Sequence, residues 1–107
     1  MKHFRLDASK NAVPCSLEEW AFMFRDFAGR MVAETQVAPG ISVRTMFIGL
    51  DHDHDEGGPP EVFETMVFDG YRNAKTFRHR SWAEAEEQHL KLGRQLRAKH
   101  ARRIQDR

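Results

Sequence analysis

The side chains best suited to chemistry lie close together in one short connector, DHDHDE at residues 51–56. Carboxylates and imidazoles alternate along it, and both are ligands of divalent ions such as Mn²⁺, Zn²⁺ and Mg²⁺. A divalent metal is therefore the one cofactor that the sequence suggests. The candidate metal ligands are Asp51, His52, Asp53, His54 and Asp55.

The same connector departs from the pattern of a calcium-binding EF-hand loop. That loop has a glycine at its sixth position and a bidentate acid at its twelfth, whereas this sequence has Glu56 and Val62 there. Short acidic tracts are usually solvated, and the GGPP that follows at residues 57–60 is typical of a loop. We therefore favour an exposed acidic loop, without a resident cofactor, over a metal site.

A catalytic centre beside this connector is a further interpretation. Asp51 and His52 follow a predicted strand, and with Glu64 across the hairpin they are of the types that form an acid/base pair. Because no nucleophile or glycine-rich phosphate cradle accompanies them, we assign no catalytic residue. Glu64 lies within an apolar strand, so we expect Arg44 or Arg78 of a neighbouring strand to pair with it.

The charge of the chain is divided between an acidic body and a basic tail. Residues 91–107 carry seven lysines and arginines against one acid, whereas residues 1–90 carry ten basic and fifteen acidic side chains. Such a tail suits nucleic acid, an acidic host protein or the acidic loop of a second copy in a homodimer. It also suits a solvated helix end, which the helix dipole favours. The candidate contact residues are Lys91, Arg94, Arg97, Lys99, Arg102 and Arg103 of the tail, with Asp53, Asp55 and Glu56 of the loop.

Two helices are predicted by their capping signals and apolar spacing. Ser16 and Glu19 form a capping box, and apolar residues then recur at helical spacing as far as Gly29. A second box at residues 81–84 starts the last helix, which continues into the basic tail. We expect His89 to be a hydrogen-bonded core residue rather than a ligand. The helix face that we expect to pack on the sheet consists of Trp82, Ala85, His89, Leu92 and Leu96.

Alternating apolar residues predict the strands. The predicted strands are residues 3–6, 31–37, 41–50, 62–68 and 74–78. Short links between consecutive strands imply an antiparallel meander. The sequence therefore predicts an α+β fold, in which an antiparallel sheet of four to five strands carries two α-helices on one face. We expect a single domain over residues 1–107, of which residues 91–107 form a basic helical extension.

The composition is that of a globular domain. Of the 107 residues, 40% are hydrophobic and 31% charged, unlike a disordered chain. The single Cys15 excludes an internal disulfide. No stretch approaches the roughly 18 apolar residues of a membrane span, and the charged N-terminal residues are unlike a signal peptide. We therefore expect a cytoplasmic location and no membrane association.

Four segments of the chain form a joint pattern. They are TMFIGLDH at residues 45–52, GPP at 58–60, VFETMVF at 62–68 and SWAEAEEQH at 81–89. This pattern resembles a family of small proteins encoded by tailed bacteriophages and prophages. The resemblance covers residues 3–90, and the basic tail after His89 is where the chain departs from it.

The resemblance implies an origin more than a mechanism. Phage accessory proteins of this size often bind a host protein without catalysing a reaction, and some inhibit host defence, as anti-CRISPR proteins do. The expected function is therefore non-enzymatic binding that modulates or inhibits a host protein inside the bacterial cell. Two alternatives stay open, namely nucleic-acid binding through the basic tail and a metal-dependent enzyme centred on residues 51–56.

Overall fold

A computed structural model describes residues 2–51 and 58–105 of the chain. The described elements are, in chain order, β1 (Lys2–Leu6), β2 (Ala12–Pro14), α1 (Leu17–Phe24), α2 (Phe27–Arg30), β3 (Met31–Ala38), β4 (Ile41–Phe47), β5 (Leu50–Asp51), β6 (Phe63–Asp69), β7 (Arg72–His79) and α3 (Trp82–Gln105). The strand pairings between these elements are antiparallel. The predicted α+β class is confirmed.

The strands divide into two sheets where the sequence predicted one meander. β3, β4, β6 and β7 form a four-stranded sheet in that order, and β1 lies between β2 and β5 in a second sheet. The division follows Phe47, where the amides of Ile48 and Gly49 both donate to the carbonyl of Val62, at 2.8 and 3.1 Å. Gly49 has a φ of +69°, and this left-handed turn directs the chain away from β4. Its carbonyl then accepts from the amide of Phe4 at 2.9 Å, which joins β1 to the redirected segment.

The hydrophobic core lies where the two sheets and the start of α3 meet. Phe47 and Phe63 face each other with ring centroids 5.1 Å apart, and Trp82 packs edge-on against Phe63 at 6.2 Å. Phe4 of β1 and Ala85 of α3 complete the same buried cluster. Burial of these rings is the main favourable term that holds the helix and both sheets together.

The first predicted helix is divided into two pieces. The Ser16–Glu19 capping box is confirmed in both directions, but α1 ends at Phe24 rather than near Gly29. The carboxylate of Asp26 accepts from the amide of Gly29 at 2.9 Å and so caps the short α2. α1 packs mainly beside β1, whereas α3 packs on the four-stranded sheet. Because the strands divide into two sheets, the two long helices cover different sheets rather than one face.

The last helix packs on the four-stranded sheet by the face that the sequence predicted. Ala85 and His89 are buried, and Trp82, Leu92 and Leu96 are half-buried. α3 is 24 residues long, which corresponds to roughly 36 Å, and it lies mainly over β3 and β4. This position matters for the candidate site, since β7 at the far edge of the sheet receives less cover.

Replacement of Gly49 by alanine should strongly destabilise the fold. A Cβ at this position would lie 2.5 Å from the carbonyl oxygen of Phe4 and 2.9 Å from the indole nitrogen of Trp20. The left-handed backbone adds about 1–2 kcal/mol for any residue with a side chain. We expect the free energy of unfolding, measured by urea denaturation, to fall by about 3 kcal/mol or more.

Gly40 is the matched control for this substitution. It also has a positive φ, +76°, but a Cβ there meets open space. Gly40→Ala should therefore cost only the backbone contribution, about 1–2 kcal/mol. Equal losses for the two variants would show that the contact between the added Cβ at residue 49 and β1 does not reduce the stability.

Candidate functional site

Only the first residue of the acidic connector belongs to the described part of the chain. Asp51 is half-buried in β5, opposite Lys2 of β1. The predicted ligands His52, Asp53, His54 and Asp55, and the contact residue Glu56, lie outside the described residues, so the metal site remains a prediction. Within residues 2–51 and 58–105, no three histidine, cysteine or acidic side chains are grouped so as to hold a metal ion.

The acidic side chain within β6 has the cationic partner that the sequence predicted. Arg78 of β7 pairs with Glu64, with its Nη2 3.1 Å from the Glu64 Oε2. Arg44 instead pairs with Glu34 of β3, at 2.7 Å between Nε and Oε2. These pairs lie on the face of the sheet opposite to α3, and both join neighbouring strands.

The basic residues of α3 are all exposed but do not form one stripe. At about 100° per residue, Arg97 and Arg103 lie about 120° apart around the helix axis. Arg94 and Arg97 therefore point to one flank of the helix, while Lys99 and Arg103 point to the flank above β7. The six exposed side chains are Lys91, Arg94, Arg97, Lys99, Arg102 and Arg103.

A groove runs along the β7 side of α3, and we call it the α3 groove. It consists of two adjoining cavities, of about 170 and 210 Å³, which share Phe77 and Leu92. The polar cavity is lined further by Thr65, His79, Gln88, Lys91 and Gln95. The larger cavity has an apolar floor that includes Val37, Ile41, Val67 and Leu96. Its polar rim consists of Lys75, Lys99, His100, Arg103 and Asp69.

The position of α3 explains why this groove exists. The helix lies mainly over β3 and β4, so the face of β7 that points towards the helix stays uncovered at Lys75 and Phe77, although His79 on the same face is buried. Phe77 on that face is 39% exposed, while Val67 beside it on β6 is only 6% exposed. An apolar strip bordered by cations is thus open to a ligand.

A continuous chain of five hydrogen-bonded side chains, which we call the polar chain, crosses the interior between α3 and the sheet. His79 Nε2 lies 2.8 Å from the hydroxyl of Thr65, which lies 2.6 Å from that of Thr45. The Thr45 hydroxyl is 2.8 Å from His89 Nδ1, and His89 Nε2 is 2.9 Å from the hydroxyl of Thr35. All but Thr35 are buried. At one end, Thr65 and His79 line the polar cavity of the α3 groove.

Burial keeps both imidazoles of the polar chain neutral at pH 7. It lowers the pKa of His89 below 6.5. Burial likewise lowers the pKa of His79, against an opposite but smaller influence of the carboxylates of Glu84 and Glu61. A neutral imidazole both donates and accepts, which is what a position between two hydroxyls requires.

The sequence predicted one histidine of this chain and missed the other. His89 was expected in the core with a hydrogen bond, and this is confirmed. For His79, the sequence indicated no hydrogen-bond partner. The alternation of side chains along β7 was the available clue, since His79 and Phe77 are two residues apart and therefore share a face. That face could be assigned only once Phe63 and Thr65 were known to lie opposite them.

Comparison with protein-family models, curated proteins and solved structures finds no match. The function therefore has to be argued from the geometry of the groove and from charge. Among residues 2–51 and 58–105, no helix combines the length and apolar character needed to cross a membrane.

Proposed function

We propose that this chain is a non-enzymatic binding protein whose α3 groove holds an acidic segment of a partner protein. The observation that carries the proposal is the combination of an apolar floor with a rim of Lys75, Lys99 and Arg103. Apolar contacts at the centre of an interface supply affinity, while rim charges select and orient the partner. A segment with acidic residues around an apolar side chain is complementary to this surface.

The class of partner that we propose is based on the resemblance to phage proteins. Segments 45–52 and 62–68 carry that resemblance, and the proposed partner is accordingly a bacterial host protein whose activity is modulated or inhibited. A second copy bound groove to groove is disfavoured, since each groove would present the same cationic rim to the other.

Nucleic-acid binding through the tail is the competing proposal. A phosphate backbone is best bound by a patch or stripe of cations on one surface, but Arg97 and Arg103 lie on opposite flanks of α3. Residues 1–90 carry five more acids than bases and would repel a polyanion. The metal-enzyme proposal depends on residues 52–56, which are outside the described range, and it draws no support from the groove.

Charge reversal on the groove rim should weaken partner binding. We expect the full-length chain, immobilised and exposed to bacterial host lysate, to retain one protein in stoichiometric amount. The double variant Lys99→Glu/Arg103→Glu should bind that protein about thirtyfold more weakly, because each reversal exchanges attraction for repulsion at about 1 kcal/mol. Titration calorimetry with the purified partner measures the difference.

The opposite flank of the same helix offers a matched control. Arg94→Glu/Arg97→Glu makes the same change in net charge but faces away from the groove, so it should leave the affinity within about twofold. Equal weakening by the two double variants, together with loss of the retained material on nuclease treatment, would favour nucleic-acid binding. If wild-type protein retains no stoichiometric partner, host-protein binding is contradicted.

A further inference from the structure

Among the residues that the structure describes, none pairs with the sheet edge that borders the α3 groove. β7 is the last strand of the four-stranded sheet, and its residues from Arg72 to Phe77 are exposed. The backbone amides and carbonyls on its outer side are therefore directed away from β6. An edge of this kind pairs readily with an extended segment of another protein.

One charged side chain, that of Lys75, restricts which strands can pair with this edge. Lys75 lies opposite Val67 in the register of the sheet and lines the α3 groove, on the face that points towards the helix. A charge on the inner face of an edge strand opposes general edge-to-edge pairing. A strand added here without an acid would bury the ammonium group beside apolar side chains, whereas a strand with a carboxylate would neutralise it.

The width of the uncovered surface indicates an extended occupant rather than a helical one. On β6, the inward side chains of Thr65 and Val67 are only 1% and 6% exposed, while Phe77 of β7 is 39% exposed. Beside Thr65 and Val67, the open strip is thus about one strand wide, near 4.8 Å. A helix with side chains is about 10 Å across and would rest on residues that are already covered.

We propose that the acidic segment of the partner binds as an additional strand on β7, with a carboxylate beside Lys75 and an apolar side chain beside Phe77. Lys75 and Phe77 are two residues apart on one face. Side chains at i and i+2 of an added strand share a face at about 6.6–6.8 Å spacing, which matches them. The inference rests on the proposed function and adds to it the conformation and the side-chain pattern of the partner.

Synthetic peptides test this inference without knowledge of the partner. The probe is Thr-Glu-Thr-Val-Thr-Glu-Thr-Val-Thr, which in an extended conformation presents glutamate and valine alternately on one face. The comparison peptide has lysine in place of each glutamate. With the full ¹⁵N-labelled chain, we expect the acidic peptide to slow hydrogen exchange at alternate amides of β7 by about tenfold or more, since only those amides point outwards. The lysine peptide should have no effect.

A charge swap makes the test specific. Lys75→Glu should reverse the preference, so that the lysine peptide binds at least about tenfold more tightly than the acidic one. Thr76→Glu adds a carboxylate to the same strand on the opposite face and should leave the preference of the wild type unchanged. Correct folding of both variants is checked by the amide spectrum of β4 and β6.

The outcomes separate this inference from the proposed function. The acidic peptide could shift the amide signals of groove residues in α3 without slowing hydrogen exchange in β7. In that case the occupant is not a strand and the inference fails, while groove binding stands. Failure of both peptides to bind, or an unchanged preference in Lys75→Glu, also overturns it. The proposed function is judged separately, by whether Lys99→Glu/Arg103→Glu loses the protein retained from the lysate.

Discussion

Acidification below pH 6.5 is expected to destabilise the folded chain. Burial lowers the pKa of His79 and of His89 from 6.5 in the unfolded chain. Below pH 6.5 these two histidines therefore bind more protons in the unfolded state than in the folded state. The free energy of unfolding should fall with decreasing pH, and each histidine can contribute at most about 1.4 kcal/mol per pH unit to the slope.

The direction of this effect follows from which state binds the proton. The stabilisation is fully present above pH 6.5 and is lost as the pH falls towards the lowered pKa values of the folded state. Glu84 and Glu61 favour the charged form of His79, so His79 should contribute the smaller part. Urea denaturation followed by tryptophan fluorescence over a series of pH values measures the slope.

One substitution separates the two contributions. His89→Gln lowers the stability at every pH, but it also removes the group with the larger contribution, so the slope should fall by at least about half. The slope is independent of the starting stability and can be read even from a weakened variant. A variant that kept the full slope would show that His89 is not responsible for the acid response.

Features of the fold that depend on local sequence were predictable. Ser16 and Glu19 satisfy each other's backbone donors within one turn, so the capping box needs no distant partner. The inward face of α3 follows from the spacing of Ala85, His89 and Leu92 alone. By contrast, the departure of the chain from β4 depends on the carbonyl of Val62, which accepts from Ile48 and Gly49 across the intervening connector. Nothing within residues 41–50 specifies that contact.

The candidate site was less predictable, for a geometric reason. The sequence identified Lys99 and Arg103 as contact residues together with Arg94 and Arg97, because all four are basic. Helical spacing separates the two pairs, but only the lateral position of α3 over β3 and β4 brings one of them above β7, and it also opens the groove beside Phe77. That position results from core packing around Phe63 and the other aromatic residues, which a pattern of single residues does not encode.

Removal of one hydroxyl from the middle of the polar chain should be costly although it changes little volume. Thr45→Val replaces a hydroxyl by a methyl group. It leaves His89 Nδ1 without its hydroxyl partner, and it leaves Thr65 with His79 Nε2 alone. An unsatisfied buried polar group costs about 1–3 kcal/mol and a lost hydrogen bond about 1 kcal/mol, so we expect a loss of about 2–4 kcal/mol in the free energy of unfolding. Thr35→Val is the control, because the hydroxyl of half-buried Thr35 forms a hydrogen bond with His89 Nε2 at the end of the polar chain, and its loss should cost about 1 kcal/mol.

A double-mutant cycle tests whether the polar chain acts as one unit. Thr45→Val and Thr65→Val each remove the 2.6 Å hydroxyl–hydroxyl bond, so the sum of the single losses counts that bond twice. Once one hydroxyl has been removed, removal of the second no longer leaves its hydroxyl partner unsatisfied. The double variant should therefore be more stable than additivity predicts, by about 1 kcal/mol or more. Strict additivity would mean that the hydrogen bond between the two threonines contributes no coupling energy. The polar chain would then not act as one unit.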